Sequence, residues 1–119
     1  MKRILVVEDN EKNMYLISYI LRNKGYEVIE SRTGVEGVEL AIKEKPDLVI
    51  MDIQLPDIDG LEATKRIREF EGNEDLPIIA VTSYAMVGDR EKVLSAGCIG
   101  YIEKPIKPDT FLLEIEKYL

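Results

Sequence analysis

Apolar and polar residues alternate in blocks along the chain, and these blocks predict strands and helices in turn. Three short runs are apolar at every position, which is typical of parallel strands covered on both faces. They are residues 4–7, 48–51 and 78–81. Residues 26–30 alternate between apolar and polar, which predicts a shorter strand nearer a sheet edge, and residues 99–102 predict the last strand.

Helical periodicity and capping residues predict a helix after each strand. Asn10 is a plausible N-cap of the first helix, and Gly25 suits the position that follows its end. The pairs Thr33–Glu36 and Asp59–Glu62 have the spacing of capping boxes for the second and third helices. The predicted helices cover residues 11–24, 34–45, 60–71, 86–95 and 108–118. The buried stripe of the first helix is predicted to be Met14, Ile17, Ile20 and Leu21.

Five strands that alternate with five helices through short connections predict an α/β fold, a doubly wound parallel sheet with helices on both faces. The length of 119 residues and the hydrophobic content of 45% suit one domain, expected to cover residues 1–119 with no output domain. No apolar run resembles a signal peptide or a membrane span, so we expect a cytoplasmic protein. The single cysteine, Cys98, is interpreted as a buried, inert thiol.

The composition excludes several classes of function. A net charge of −7 argues against direct binding of nucleic acid, which requires a basic face. The chain has no histidine, and this excludes histidine acid–base catalysis, histidine metal ligands and Ser-His-Asp triads. Any metal site must therefore use oxygen ligands, which suits a hard cation such as Mg²⁺.

Residues with reactive or charged side chains follow four of the five predicted strands. Because the carboxyl ends of parallel strands lie at one edge of the sheet, we expect these side chains to converge. They are Glu8, Asp9, Asp52, Thr82 and Lys104. Each also has a simpler interpretation alone: solvated loop acids, a helix cap at Thr82, or a surface lysine at Lys104. Asp57 and Asp59 are interpreted only as a turn residue and a cap residue.

The expected cluster carries three negative charges and one positive charge, so one divalent cation would neutralise it. Asp9 and Asp52 could bind Mg²⁺ directly, Glu8 could bind through water, and the backbone carbonyl of Gln54 could complete the protein ligands. A carboxylate is also a competent nucleophile toward phosphorus and can form an aspartyl phosphate. The phosphoryl oxygens would then need donors.

Lys104 offers these oxygens a positive charge and Thr82 offers a hydroxyl group. With Pro56 and Gly60 in the loop after Asp52, and with Pro105 after Lys104, the chain resembles the receiver domain of two-component response regulators. The resemblance extends over the whole chain. It implies a flavodoxin-like three-layer fold with strand order 2-1-3-4-5.

The resemblance also implies a function. Asp52 would accept a phosphoryl group, with Mg²⁺ as cofactor, from the phosphohistidine of a sensor histidine kinase or a histidine phosphotransfer protein. Thr82 and Tyr101 match the family's switch pair, although Tyr101 could instead be an exposed strand-edge aromatic. The bond between Lys104 and Pro105 resembles the family's cis peptide.

Phosphorylation would then shift a surface made of the fourth helix, fifth strand and fifth helix, which acts on a downstream protein. Such a protein is a signalling receiver that catalyses only its own phosphorylation and dephosphorylation. Whether phosphorylation causes homodimerisation stays an open question. Met14 and Ser18 are the candidates for a kinase contact on the first helix. The first acid is Glu8 where the family more often has aspartate, and Gln54 and Tyr84 occupy positions that influence phosphoryl lifetime in the family.

Three other functions stay open. A haloacid-dehalogenase-like phosphohydrolase would need an aspartate at the position of Gln54 and a cap domain. A nucleotide-binding module would need a glycine-rich loop after the first strand, where this chain has Glu8, Asp9 and Asn10. A receiver fold that no longer becomes phosphorylated would act only as a binding module.

Overall fold

Five parallel strands alternate with five helices in the computed structural model, which describes residues 1–83 and 89–119. The strands are β1 (Arg3–Val7), β2 (Glu27–Ser31), β3 (Leu48–Asp52), β4 (Ile78–Thr82) and β5 (Gly100–Glu103). The helices are α1 (Glu11–Asn23), α2 (Gly34–Glu44), α3 (Gly60–Glu69), α4 (Asp89–Ser95) and α5 (Pro108–Glu116). The strand order is β2-β1-β3-β4-β5, so the predicted flavodoxin-like topology is confirmed.

The sheet separates two hydrophobic clusters, because successive strand residues point to opposite faces. On one face Ile4 and Val6 pack with residues of α1 and α5 such as Phe111. On the other face Leu5 and Val7 pack with residues of α2, α3 and α4. The three central strands are thus covered on both sides, which explains why their sequences are apolar at every position.

The predicted N-caps of three helices are confirmed by side-chain oxygens that accept first-turn amides. Asn10 accepts from the Asn13 amide at 3.0 Å, Thr33 from the Glu36 amide at 3.1 Å, and Asp59 from the Glu62 amide at 2.8 Å. These are the donors that a helix leaves without an intrahelical partner. The predicted fourth helix included residues 86–88, which lie outside the described residues, as does Tyr84.

The two kinase-contact candidates on α1 are wrong, because Met14 and Ser18 are only 1% and 2% exposed. Met14 packs in the hydrophobic cluster under α1, and the Ser18 hydroxyl donates to a carboxylate oxygen of Glu30 at 2.9 Å. The outward face of the helix instead carries Tyr15 and Tyr19, whose rings are stacked with their centroids 6.3 Å apart. Within residues 1–83 and 89–119, none of the helices has the length and apolar character to cross a membrane.

Candidate functional site

Three carboxylates meet at the carboxyl edge of the sheet. Asp52 is the last residue of β3, and Glu8 and Asp9 follow directly after the neighbouring strand β1. Each of the three offers a carboxylate oxygen, and these oxygens all lie within 4.8 Å of one another. An all-oxygen, strongly negative set of this kind fits a hard divalent cation such as Mg²⁺.

Lys104 is the positive charge of this site. Its Nζ lies 3.0 Å from Glu8 Oε1 and 3.4 Å from Asp52 Oδ1. Both carboxylates are buried, with 1% and 2% of their side chains exposed. The lysine is held in place by its backbone, because its amide donates to the Thr82 carbonyl at 2.8 Å. The ends of β1, β3 and β5 therefore supply charged side chains to one site, and the end of β4 holds the backbone of the lysine.

The pKa of Asp52 is raised to about 7, chiefly because burial penalises the ionised carboxylate. A hydrogen bond to Glu8 and the negative charge of Glu8 raise this pKa further. The Gln54 amide, which donates to Asp52 Oδ1 at 3.1 Å, and the charge of Lys104 act in the opposite direction. Three acids and one lysine leave the site with excess negative charge, which a bound cation would relieve.

Two backbone hydrogen bonds fix the start of the loop after Asp52, one across the base of the loop and one to β4. The Gly60 amide donates to the Ile53 carbonyl at 2.9 Å, and the Ile53 amide donates to the Val81 carbonyl at 3.1 Å. A Cβ atom on Gly60 would overlap the backbone carbonyl oxygen of Asp52. Glycine at this position thus allows α3 to begin directly against the end of β3.

Substituting alanine for Gly60 is expected to destabilise the fold by about 1–3 kcal/mol, because the added methyl group meets backbone that cannot rotate away. Urea unfolding measures this loss of stability. Lys65→Ala, an exposed change on the same helix, is the control and should change the unfolding free energy by less than about 0.5 kcal/mol. An unchanged Gly60→Ala unfolding free energy would contradict the overlap.

Thr82 and Tyr101 lie on adjacent strands beside this site. Thr82 is the last residue of β4 and is 4% exposed. Tyr101 pairs with Ala80 of β4 in the strand register, and its ring is half-buried against the cluster on the α2, α3 and α4 face. The ring is therefore partly packed rather than fully exposed. The peptide bond between Lys104 and Pro105 is cis.

Two arrangements have no signal in the sequence, one beside the site and one at the opposite edge of the sheet, where β4 and β5 begin. The Asp57 carboxylate, interpreted only as a turn residue, accepts hydrogen bonds from the backbone amides of Gly34 and Val35 in α2. The Arg68 guanidinium donates to the Gly97 carbonyl at 2.7 and 3.0 Å and to the Asn73 carbonyl at 2.8 Å. Both contacts join segments far apart in sequence, and no local pattern indicates them.

The predicted burial of Cys98 is confirmed, since the residue is 4% exposed. Its sulfur lies 3.6 Å from the Thr64 hydroxyl oxygen. Burial raises the pKa of the thiol above its ordinary value. Both properties disfavour the reactive thiolate form.

The strand order, the carboxylate cluster and the lysine define a flavodoxin-like doubly wound α/β domain with an acidic site at the carboxyl edge of its sheet. The chain belongs to the response regulator receiver domain family, whose model matches residues 4–116.

Known relatives agree with this assignment. The chain is 46% identical to the polar-differentiation response regulator DivK of Brucella ovis over 118 residues, covering 99% of this chain and 96% of that protein. Its structure superposes on the chemotaxis protein CheY4 of Vibrio cholerae with a TM-score of 0.95 at 28% identity, covering 100% of this chain and 99% of the other.

A second solved structure is the receiver domain of a sensor histidine kinase from Pseudomonas aeruginosa, with a magnesium ion coordinated in its active-site cleft. It matches with a TM-score of 0.91 and 38% identity, covering 98% of this chain and 96% of that one. The chain is thus a response regulator of two-component phosphorelay signalling. The phosphohydrolase, nucleotide-binding and non-phosphorylated alternatives are not favoured by these relationships.

Proposed function

We propose that Asp52 is the phosphoryl acceptor of this response regulator. The observation that carries the proposal is the set of three carboxylates within 4.8 Å of one another at the mouth of β3, with Lys104 Nζ against two of them. An Asp52 carboxylate oxygen attacks the phosphorus of a phosphohistidine on a kinase or phosphotransfer protein. The new O–P bond forms as the N–P bond breaks, and the imidazole leaves with the electron pair.

Mg²⁺ is the proposed cofactor: Asp9 and Asp52 would hold it directly, Glu8 would hold it through water, and the backbone carbonyl of Gln54 would complete the protein ligands. When bound, it neutralises charge on the carboxylates and on the transferred group. The fit rests on the oxygen-only donor set of this chain. The magnesium ion in the related Pseudomonas aeruginosa receiver supports the same choice.

Phosphorylation takes Asp52 from one negative charge to nearly two and gives it three new acceptor oxygens. Lys104, now shared between Glu8 and Asp52, becomes a donor to the phosphoryl group, and the Thr82 hydroxyl becomes a second donor. We propose that Tyr101 turns inward as Thr82 moves. Shifting the ratio of the switched to the unswitched conformation from 1:99 to 99:1 requires about 5.5 kcal/mol of differential interaction free energy. Several charge-assisted hydrogen bonds can supply much of it.

The surface that changes is proposed to consist of α4, β5 and α5. A groove of about 310 Å³ between β5 and α5 includes both Tyr101 and Lys104 in its lining, so a change at the site reaches this groove directly. We propose that a downstream protein binds this surface, whether or not phosphorylation also causes homodimerisation. The protein catalyses only the gain and loss of its own phosphoryl group.

The test is incubation with acetyl phosphate and Mg²⁺, followed by mass spectrometry. We expect one phosphoryl group, stable in acid and labile in base, on Asp52. Chelating the Mg²⁺ should prevent the adduct, and Asp52→Asn should lack it. Asp59→Asn, which removes a carboxylate outside the cluster, should keep it. No adduct on the native chain, or an undiminished adduct on Asp52→Asn, would overturn the proposal.

A further inference from the structure

We propose that Asp57 is a positioning residue for the phosphoacceptor site, because its carboxylate fastens the loop after Asp52 to the first turn of α2. The inference rests on the proposed function, in which Asp52 is phosphorylated and Gln54 helps to hold Mg²⁺. It gives a role to a residue that touches neither the phosphoryl group nor the metal.

The contact is a bidentate one between a side chain and a helix end. Asp57 Oδ1 accepts from the Gly34 amide at 2.8 Å, and Oδ2 accepts from the Val35 amide at 2.9 Å. These amides belong to the first turn of α2, which has no intrahelical acceptors for them. The pKa of Asp57 is lowered to about 2 by the same two bonds, so the contact persists at every physiological pH.

The loop after Asp52 and the first turn of α2 form a junction, and close packing at Gly34 is a second, independent observation that supports it. A Cβ atom on Gly34 would lie 2.5 Å from Ile58 Cγ1 and 2.9 Å from the Ile58 carbonyl oxygen. The backbone of the loop and the start of α2 are therefore in direct contact, and a larger residue would separate them. Both the hydrogen bonds and the shape hold the same part of the loop against the same turn.

The segment that this junction holds is the one that carries Gln54. The loop is closed at its base by the Gly60 amide on the Ile53 carbonyl, and its far side is fixed by Asp57. Gln54 lies between these two attachments, and its amide donates to Asp52 Oδ1. Fixing the loop at both points therefore fixes the orientation of Gln54 and, through its amide, that of the Asp52 carboxylate.

Loss of the Asp57 carboxylate is expected to release this side of the loop. Residues that support metal ligands from outside typically change metal affinity by about 10–100-fold when replaced. We expect Asp57→Ala to weaken Mg²⁺ binding about tenfold and to slow adduct formation by a similar factor. Asp57→Asn retains one good acceptor oxygen and should recover part of both losses.

The matched control is Thr33→Ala. Thr33 also caps the start of α2, accepting from the Glu36 amide, but it makes no contact of this kind with the loop. Both alanine variants remove a cap, so both should lower the unfolding free energy to a similar extent. Only Asp57→Ala should change the Mg²⁺ dissociation constant, measured by isothermal titration calorimetry, and the rate of adduct formation from acetyl phosphate.

Wild-type Mg²⁺ affinity and rate in Asp57→Ala would overturn the inference, as would an equal loss in Thr33→Ala. The second result would show that any weakening of α2 affects the site. Mg²⁺ binding and adduct formation by the native chain are measured in the same series. If the native chain itself binds no Mg²⁺ and forms no adduct, the proposed function fails. A normal native chain with an unaffected Asp57→Ala overturns only the role of Asp57.

Discussion

Asp52→Asn is expected to abolish the phosphoryl adduct and, in the absence of Mg²⁺, to make the folded chain more stable at about pH 8. The residue is 2% exposed and lies beside Glu8, so its ionised carboxylate is costly in the folded state. Each unit by which the pKa of a carboxyl group is raised corresponds to about 1.4 kcal/mol against its ionised form, and Lys104 retains Glu8 as a partner in the variant. Asparagine has nearly the same shape and no charge.

The pH dependence of this gain follows from the pKa of Asp52, which is 3.8 ordinarily and about 7 in the folded chain. Between these values the folded state binds a proton that the unfolded state has lost, so the native chain loses stability as pH rises. Asp52→Asn removes this loss. Its advantage over the native chain should therefore be smallest near pH 4, grow up to about pH 7 and stay constant above it.

Urea unfolding of both proteins across this pH range measures the difference. Asp59→Asn is the control for overall charge, since it removes an exposed carboxylate and retains a good cap. Saturating Mg²⁺ should reverse the order, because a ligand that binds only the folded native site stabilises it. A native chain whose stability rises with pH from about 4 to 7 relative to Asp52→Asn would refute the raised pKa of Asp52.

Lys104→Met is expected to have the opposite effect on stability. The substitution keeps the length of the side chain but leaves Glu8 and Asp52 buried without the cation that lies 3.0 and 3.4 Å from them. Removing one partner of a buried ion pair typically costs about 3–5 kcal/mol. The loss should be largest above about pH 7 and smaller near pH 5, where protonation of Asp52, whose pKa is raised to about 7, removes part of the negative charge.

Unfolding experiments without Mg²⁺ at about pH 5 and about pH 8 test this expectation. Lys107→Met is the matched control, because Lys107 is exposed and its side chain makes no capping hydrogen bond to α5. Combining Lys104→Met with Asp52→Asn should recover much of the lost stability, since one buried acid then remains. If Lys104→Met and Lys107→Met have the same unfolding free energy at both pH values, Lys104 does not balance the charge of the site.

Most of the fold was predictable because each local signal had one physical cause. A short run of apolar residues at every position is typical of a strand covered on both faces, and the three central strands have that pattern. Side-chain caps act over three residues, so the starts at Asn10, Thr33 and Asp59 were visible in the sequence. The clustering of the strand-end residues followed from topology, because parallel strands end at one edge.

The errors and omissions share a different cause, which is that they depend on partners distant in sequence. Ser18 was expected to contact a kinase, but Glu30 on β2 supplies an acceptor that allows its hydroxyl to be buried. Asp57 binds amides 22 and 23 residues earlier, and these become its neighbours only when α2 and the loop meet. The pairing of Lys104 with Glu8 as well as Asp52 likewise required the coordinates of three strand ends.

The half-buried guanidinium of Arg68 has a mechanical consequence for the proposed movement of α4. Its hydrogen bonds to the carbonyls of Gly97 and Asn73 attach the segment just after α4 to α3 and to the connection before β4. A Cβ atom on Gly97 would lie 2.9 Å from Arg68 Cγ, so the two residues also fit closely in shape. If α4 moves as a rigid body and these bonds are kept, its carboxyl-terminal end would be the pivot of that rotation.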